Sequence, residues 1–535
     1  MFSTASDSPG KYRQAPSRLP EWLAALVVGL LLSLAVVSSL DLEGRYKLAL
    51  LGGALGAVFL LYFPRRRMLL VCAWVFLHPL SIEKIFFLGR PLEAVGMNFL
   101  PPVMVVSASD VMMAALGVAL LAESLFYGNR SAWRWPAAMT PYAALVIWSI
   151  IVFFLRKPDG GSTLAVIHDL KMALFMLVMV SAVRTPGELK LLLYCLCLAV
   201  LLQVALVGLS AATGSAIRIS AKLSKQLMEF SGSGQAVYFR ATGTVGQVNQ
   251  EACFLTFFGI PLLALLFSTG RFWKVTGLIT LLGVMAAVGL TYSRSAWLSL
   301  LIGGAAVLTI AYVSRTLRFR YWIYLVPFLL LGTALLPFFG KSAMDRLING
   351  DEGATASRER DMRLAWDLFC IHPLAGVGTG NFARATLKYY PPQKETVTWL
   401  NPGQTARIKW RYSGRLELTQ VKDGEREYDI PLPVHNKYLL VMTELGAIGL
   451  ILFIWFQVRI FKHITSSLKS GDNMIRWLAI GVGGAFFASQ CYMNLDLFAD
   501  DKTMQLLLMI PVLAMITDQI SFPFRKDLRR VRNRS

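Results

Sequence analysis

Pro433 to Lys462 reads PVHNKYLLVMTELGAIGLILFIWFQVRIFK. From residue 437 to 458 the run is interrupted only by Lys437, Thr443, Glu444 and Gln457, and it has about the length a helix needs to cross hydrocarbon. Arg459 and Lys462 close it on one side, and His435-Asn436 opens it on the other, where a long polar loop re-enters the apolar span. An ionisable imidazole is therefore held at a membrane boundary, with Gly446 and Gly449 at helical spacing behind it. Small residues there favour close helix contact.

Outward from this stretch, similar runs recur over nearly the whole chain, at about 22–40, 46–63, 68–86, 102–126, 139–155, 164–182, 189–212, 251–269, 275–292, 296–313, 321–338, 437–458, 476–495 and 503–520. A single run of this kind fits a buried soluble helix, but repetition on this scale does not. Only 16% of the 535 residues are charged, against about 25% in a soluble domain. The fold class is an all-α polytopic membrane protein with about 12–14 transmembrane helices. The first run has polar residues ahead of it and no small-residue cleavage site behind it, so it is expected to remain as a transmembrane helix.

Lys and Arg collect in alternate junctions: Arg65-Arg66-Arg67, Arg130 and Arg134, Arg184 and Lys190, Arg271 and Lys274, Arg315 to Arg320, and Arg459 to Lys469. The tail from Arg525 to Arg534 is the most basic segment. This bias puts both termini in the cytoplasm. It also accounts for the net charge of +21 without a nucleic-acid partner. The segments are a tail at 1–21, helices at 22–212, an external loop at 213–250, helices at 251–339, a large external loop at 340–436, helices at 437–520 and a basic tail at 521–535.

The two long loops face the external side. The first breaks at Ser231-Gly-Ser-Gly234 and continues as Arg240-Ala-Thr-Gly-Thr-Val-Gly-Gln-Val-Asn249. In the second, Met362, Ala365, Trp366, Phe369 and Cys370 recur at helical spacing and predict an amphipathic helix along the membrane surface, ended by His372-Pro373. Ile408, Trp410 and Tyr412 alternate, as do Leu416 and Leu418, which predicts a small β-hairpin or meander.

His435 is the candidate general base, because its ordinary pKa near 6.5 lets it accept a proton at neutral pH. Asn436 suits an N-cap or a support for the ring. Arg294, in the tight turn Tyr292-Ser293-Arg294-Ser295, is costly at its depth and so a functional candidate. With Arg240 it suits a diphosphate, since guanidinium forks match phosphate oxygens. Arg358, Arg360 and Arg363 add to the same field, and Asn249 and Glu444 are possible supporting residues. Asp169 with Lys171 suggests an ion-pair network. No Walker loop, dinucleotide fingerprint or Cys/His metal cluster is present, so neither a metal nor a cofactor is expected.

These segments together resemble the O-antigen ligase/polymerase superfamily of bacterial membrane glycosyltransferases. His435-Asn436-x9-Gly446-x-x-Gly449 is similar to its loop-to-helix motif, Arg240 to Asn249 to its Arg-x-x-Gly-Thr…Asn segment, and Tyr292-Ser293-Arg294 to its Ser-Arg turn. His372-Pro-Leu-Ala-Gly376-Val-Gly378-Thr-Gly380-Asn381-Phe382 is similar to its His-Pro-x-x-Gly-x-Gly-x-Gly-Asn-Phe stretch. The resemblance spans about residues 160–515 and implies a GT-C-like fold in the bacterial inner membrane with a periplasmic active site. It implies an undecaprenyl-diphosphate-linked glycan as donor and a saccharide, or lipid A–core, as acceptor. Arg240 and Arg294 would hold the diphosphate while His435 deprotonates the acceptor, without nucleotide or metal. A ligase, a polymerase and a protein O-oligosaccharyltransferase are all compatible with these motifs. A lipid-linked oligosaccharide flippase is the alternative of a different class, although a transporter should show related halves, and the sequence shows none.

Overall fold

The computed structural model describes residues 66–80, 82–87, 93–94, 97–98, 103–126, 132–156, 160–215, 229–231, 237–268, 270–316, 352–389, 393–398, 406–412, 415–421, 434–496 and 501–532. The chain divides into two compact units, Met1–Arg66 and Arg67–Ser535, and every candidate site residue lies in the second. The expected spans at 22–40, 46–63 and 321–338 lie outside the described residues.

In chain order come α1 (Arg66–Leu77), β1 (Glu83–Phe87), β2 (Glu93–Ala94), β3 (Met97–Asn98), β4 (Val103–Ser107), α2 (Ala108–Phe126), α3 (Met139–Leu155), α4 (Gly160–Ala182) and α5 (Pro186–Thr213). Then follow β5 (Glu229–Ser231), β6 (Val237–Phe239), α6 (Val248–Ala264), α7 (Arg271–Leu290), α8 (Arg294–Val313), α9 (Glu352–Ile371) and α10 (Phe382–Tyr389). The chain ends with β7 (Gln393–Thr398), β8 (Ala406–Tyr412), β9 (Arg415–Val421), α11 (Lys437–Ser467), α12 (Asn473–Leu495) and α13 (Asp501–Arg532). Eight of the described helices are long and apolar enough to cross a membrane, and the protein is an all-α polytopic membrane protein. α12 falls outside those eight because glycines, Ser489 and Gln490 dilute its apolar run. It is instead sheathed by other helices, with Leu478, Ile480, Val482 and Ala485 fully buried.

The expected spans 68–86 and 102–126 are corrected. α1 stops at Leu77, Pro79 cannot continue a helix, and Glu83–Phe87 pairs antiparallel with Val103–Ser107 before α2 begins. Ile85, Val103, Val105 and Val106 are β-branched residues suited to that ladder. α13 runs past the expected boundary at 520 to Arg532.

At one end of the bundle Glu123 takes Arg184 at 2.7 Å and also Arg67, which reaches Glu188 as well, so α1, α2 and α5 are joined by shared charges. Within the apolar layer Lys171 pairs with Asp110 at 2.7 Å rather than with Asp169, whose carboxylate accepts from Ser149 at 2.7 Å. Two residues apart on α4, Asp169 and Lys171 point to different sides, and of the expected ion-pair network the Lys171–Asp110 pair is the part observed.

The tightest helix contact joins α8 to α12. A Cβ on Gly484 would lie 2.7 Å from the Gly303 carbonyl oxygen, and one on Gly303 would lie 3.0 Å from the Ala488 Cβ. Only glycine permits this approach, the usual means of close helix packing without a hydrophobic driving force. It joins α8 and α12 at about mid-length of both helices.

The large loop holds α9, α10 and an antiparallel three-stranded sheet in the order β7-β8-β9, the meander of the two expected forms. α9 does not bury the face that apolar spacing singles out. Asp361, Leu364, Ala365 and Leu368 are buried, whereas Met362 and Trp366 are exposed. The inward stripe is selected by its partners Val377, Phe382, Ala385, Val434 and Leu440. The second apolar stripe remains on the outside, as suits a helix at a membrane interface.

Candidate active site

The stretch from Ala241 to Val245, expected as part of an external loop, is packed inside the protein, with Ala241 and Val245 almost inaccessible. Buried backbone without helix or sheet must find other partners. The Ala241 amide donates to the Leu290 carbonyl at 3.1 Å, Thr242 to the Ser210 hydroxyl at 3.3 Å, Thr244 to Gln203 Oε1 at 3.0 Å and Val245 to Glu251 Oε2 at 3.1 Å. Gly243 is required because a Cβ there would fall 2.2 Å from Gln203 Oε1. The cradle delivers Arg240, whose Nε donates to the Thr291 carbonyl and whose Nη2 donates to Asn249 Oδ1, both at 2.9 Å.

Thr291 belongs to the turn that carries the second arginine. Tyr292 adopts φ +50°, a left-handed conformation that is uncommon for a bulky residue. Ser293 follows as the N-cap and Arg294 is the first residue of α8. Arg294 is half-buried, and it makes no hydrogen bond or ion pair with a described side chain. Both arginines thus sit beside helix N-termini, whose unpaired amides and dipole favour an anion.

His435 is held at the start of α11. The Asn436 amide donates to the Val434 carbonyl at 2.7 Å, an i to i+2 bond that makes His435 the apex of a γ-turn. Val434 is fully buried on the α9 face, and Asn436 caps α11 by accepting from the Leu439 amide at 3.0 Å. Burial and the Arg358 guanidinium push the His435 pKa below its ordinary value, partly offset by Asp496 and Asp361. The imidazole is therefore neutral at pH 7, the form that accepts a proton. Asp361 is buried beside Arg360, and burial raises its pKa.

The glycine-rich stretch after His372 proves to be the support for this helix. α11 is broken at Gly446, with φ +69° and ψ −169°. The loop fills the break: Val377 and Gly378 amides donate to the Thr443 and Glu444 carbonyls, both at 2.9 Å, and the Ala447 amide donates to the Pro373 carbonyl at 2.8 Å. Trp148 Nε1 donates to the Leu445 carbonyl at 2.9 Å. Non-helical backbone at membrane depth is tolerated where protein satisfies it in this way. Gly446 thus serves contact with a loop, not the helix–helix contact its spacing suggests. The Glu444 carboxylate accepts from the Phe382 amide at 3.4 Å, where it meets the N-terminus of α10. The loop is anchored further by Thr379 on Ser149 at 2.8 Å and by His372 on the Tyr389 hydroxyl at 2.8 Å.

The last turn of α12 joins base and arginines. Asn436 Nδ2 donates to Asn494 Oδ1 at 3.2 Å, and the Tyr492 hydroxyl donates to the Asn249 carbonyl at 2.9 Å. Asn249 in turn holds Arg240. Of the candidate residues, His435, Asn436, Arg240 and Asn249 are thereby linked, with Arg294 on the adjoining turn. Arg363 is not brought in: it is exposed and paired with Glu359 one turn away on α9. Arg358 is the helix residue whose charge reaches His435. Tyr492, Asn494, Asp496 and Asp361 escape the reading of the sequence. The alternation of Gln490, Tyr492, Asn494 and Asp496 at the end of an apolar run is the signal that points to three of them.

Fold and site together define a multi-pass membrane protein whose polar residues gather at one end of the bundle, around three helix N-termini. Residues 277–405 match a family model described as O-antigen ligase, which supports a membrane glycosyltransferase-type enzyme and agrees with the superfamily resemblance. The matched stretch contains Arg294, α8, α9 and the glycine loop, and ends before His435. A comparison with curated proteins returns no match.

Proposed function

We propose that the protein transfers a glycan from undecaprenyl diphosphate to an acceptor sugar hydroxyl at the periplasmic face of the inner membrane, as a ligase or polymerase of cell-surface polysaccharide. Arg240 and Arg294 bind the diphosphate. Neutral His435 takes the acceptor's proton as its oxygen attacks the anomeric carbon. The bond from that carbon to the diphosphate oxygen breaks, configuration inverts, and undecaprenyl diphosphate leaves with its charge held by the two guanidinium groups. The proton passes from the imidazolium to water. A leaving group that is already a diphosphate held by arginines needs no divalent ion for the step.

The observation that supports this reading is that one helical turn holds both groups: Asn494 is hydrogen-bonded to Asn436, beside the neutral base, and Tyr492 to Asn249, which holds Arg240. The family match supplies the sugar chemistry.

The test supplies purified protein with a lipid-diphosphate glycan and candidate acceptors and looks for a new glycosidic bond. His435→Ala is expected to abolish transfer with expression retained, and a chelator to have no effect. Normal turnover in His435→Ala would refute the base assignment. Movement of the lipid-linked glycan between leaflets without a new bond would favour a transporter.

A further inference from the structure

We propose that Tyr492 is a positioning residue that holds the diphosphate-binding arginines in register with the base, an inference that rests on the proposed glycan transfer. Tyr492 is 1% exposed, and its ring packs edge-on against Phe257 of α6 at 5.6 Å. Its hydroxyl donates to the Asn249 carbonyl at 2.9 Å, in the first turn of α6. Ser293 and Ser295, which flank Arg294 at the start of α8, are neighbours of the same hydroxyl. One phenol is therefore bonded to the first turn of α6 and lies beside the first turn of α8.

The consequences reach both guanidinium groups. Asn249 Oδ1 holds Arg240 Nη2 at 2.9 Å, and Arg240 Nε is fixed on Thr291, just before the Ser293–Ser295 turn. Two residues beyond Tyr492, Asn494 accepts from Asn436 at 3.2 Å and donates to the Gln490 carbonyl at 2.8 Å. A single helical turn therefore references the base through Asn494 and the arginines through Tyr492. Tyr492 reaches the diphosphate only through these groups, so its loss affects geometry rather than chemistry.

Tyr492→Phe keeps the ring and removes the hydroxyl. In detergent, binding of sugar-free undecaprenyl diphosphate and of undecaprenyl monophosphate is measured for wild type, Tyr492→Phe, Asn249→Ala, Arg240→Ala and Arg294→Ala, with thermal midpoints and the pH profile of transfer. Loss of one buried hydrogen bond predicts about a 3- to 10-fold weaker diphosphate affinity in Tyr492→Phe, with a smaller effect on the monophosphate. The thermal midpoint should fall only slightly, as for one hydrogen bond, and the acid limb of the pH profile should not move. Asn249→Ala should shift affinity in the same direction. Wild-type diphosphate affinity in Tyr492→Phe, with both arginine variants weakened, would overturn the positioning role alone. Equal losses for both lipids together with a much lower thermal midpoint would overturn it in favour of a packing role. Undiminished binding in both arginine variants would overturn the diphosphate site itself, and Tyr492's role with it.

Discussion

Gly446→Ala tests the claim that the glycine loop and the broken helix form one device. The residue has φ +69° and ψ −169°, a region essentially confined to glycine that costs a side-chain-bearing residue about 1–3 kcal/mol. A Cβ there would also lie 2.1 Å from the Leu374 carbonyl oxygen and 2.3 Å from its carbon, so the backbone of the loop must retreat. Retreat threatens the bonds from Val377, Gly378 and Ala447, at about 0.5–1.5 kcal/mol each. The total is about 2.5–7.5 kcal/mol. Gly304→Ala is the control, because a Cβ there meets nothing within 4 Å in an ordinary helix, and it should gain about 0.5–1 kcal/mol. Thermal unfolding of the detergent-solubilised variants, followed by tryptophan fluorescence, is read beside transfer activity. Gly446→Ala should unfold well below wild type and lose transfer, because the broken helix carries His435 at its start. A wild-type midpoint and wild-type transfer in Gly446→Ala would refute the reasoning.

The pH dependence should follow the charges around His435. With its pKa below the ordinary value, kcat/KM should rise through a midpoint under about 6.5 and then stay level through neutrality. Arg358→Gln removes a charge that disfavours the imidazolium and should move that midpoint up, whereas Asp361→Asn removes one that favours it and should move the midpoint down; shifts of the opposite sign in the measured profiles would refute the assignment. Glu444→Ala removes the carboxylate that meets the Phe382 amide and should cost about 1 kcal/mol of stability, as for loss of a helix cap, read as a lower thermal midpoint with an unmoved acid limb.

Much of the bundle is legible from hydropathy, because a helix in lipid must satisfy its own backbone and so needs a continuous apolar run. Where such a run includes prolines and β-branched residues, as around Pro79 and Val103–Ser107, length alone misleads and a strand pair forms instead. α9 is legible as an amphipathic helix ended at His372-Pro373, but its orientation is not. Its sequence has two apolar stripes, and only the packing of Val377, Phe382 and Val434 decides which one turns inward. The site residues stand out because a histidine or arginine at an apolar boundary is expensive. Tyr492 and Asn494 do not, since a tyrosine or asparagine at the end of a span has ordinary interfacial uses. Their significance comes from tertiary hydrogen bonds to Asn249 and Asn436, which no local pattern encodes.

The two halves of the site owe their positions to different parts of the fold. Arg294 begins a helix locked to α12 by the Gly303–Gly484 contact, and Arg240 emerges from a cradle of Gln203, Ser210 and Glu251. Both depend on the bundle core. His435 instead depends on a surface assembly, α9 and the glycine loop, that grips α11 at its break. This division would serve the proposed transfer, in which the donor comes from lipid and the acceptor from the aqueous side. The donor site can stay rigid within the bundle, while the loop that borders water is free to vary around a base held from below. In this arrangement α12 is the common reference, because Asn494 and Tyr492 hold Asn436 and Asn249 from the same helical turn.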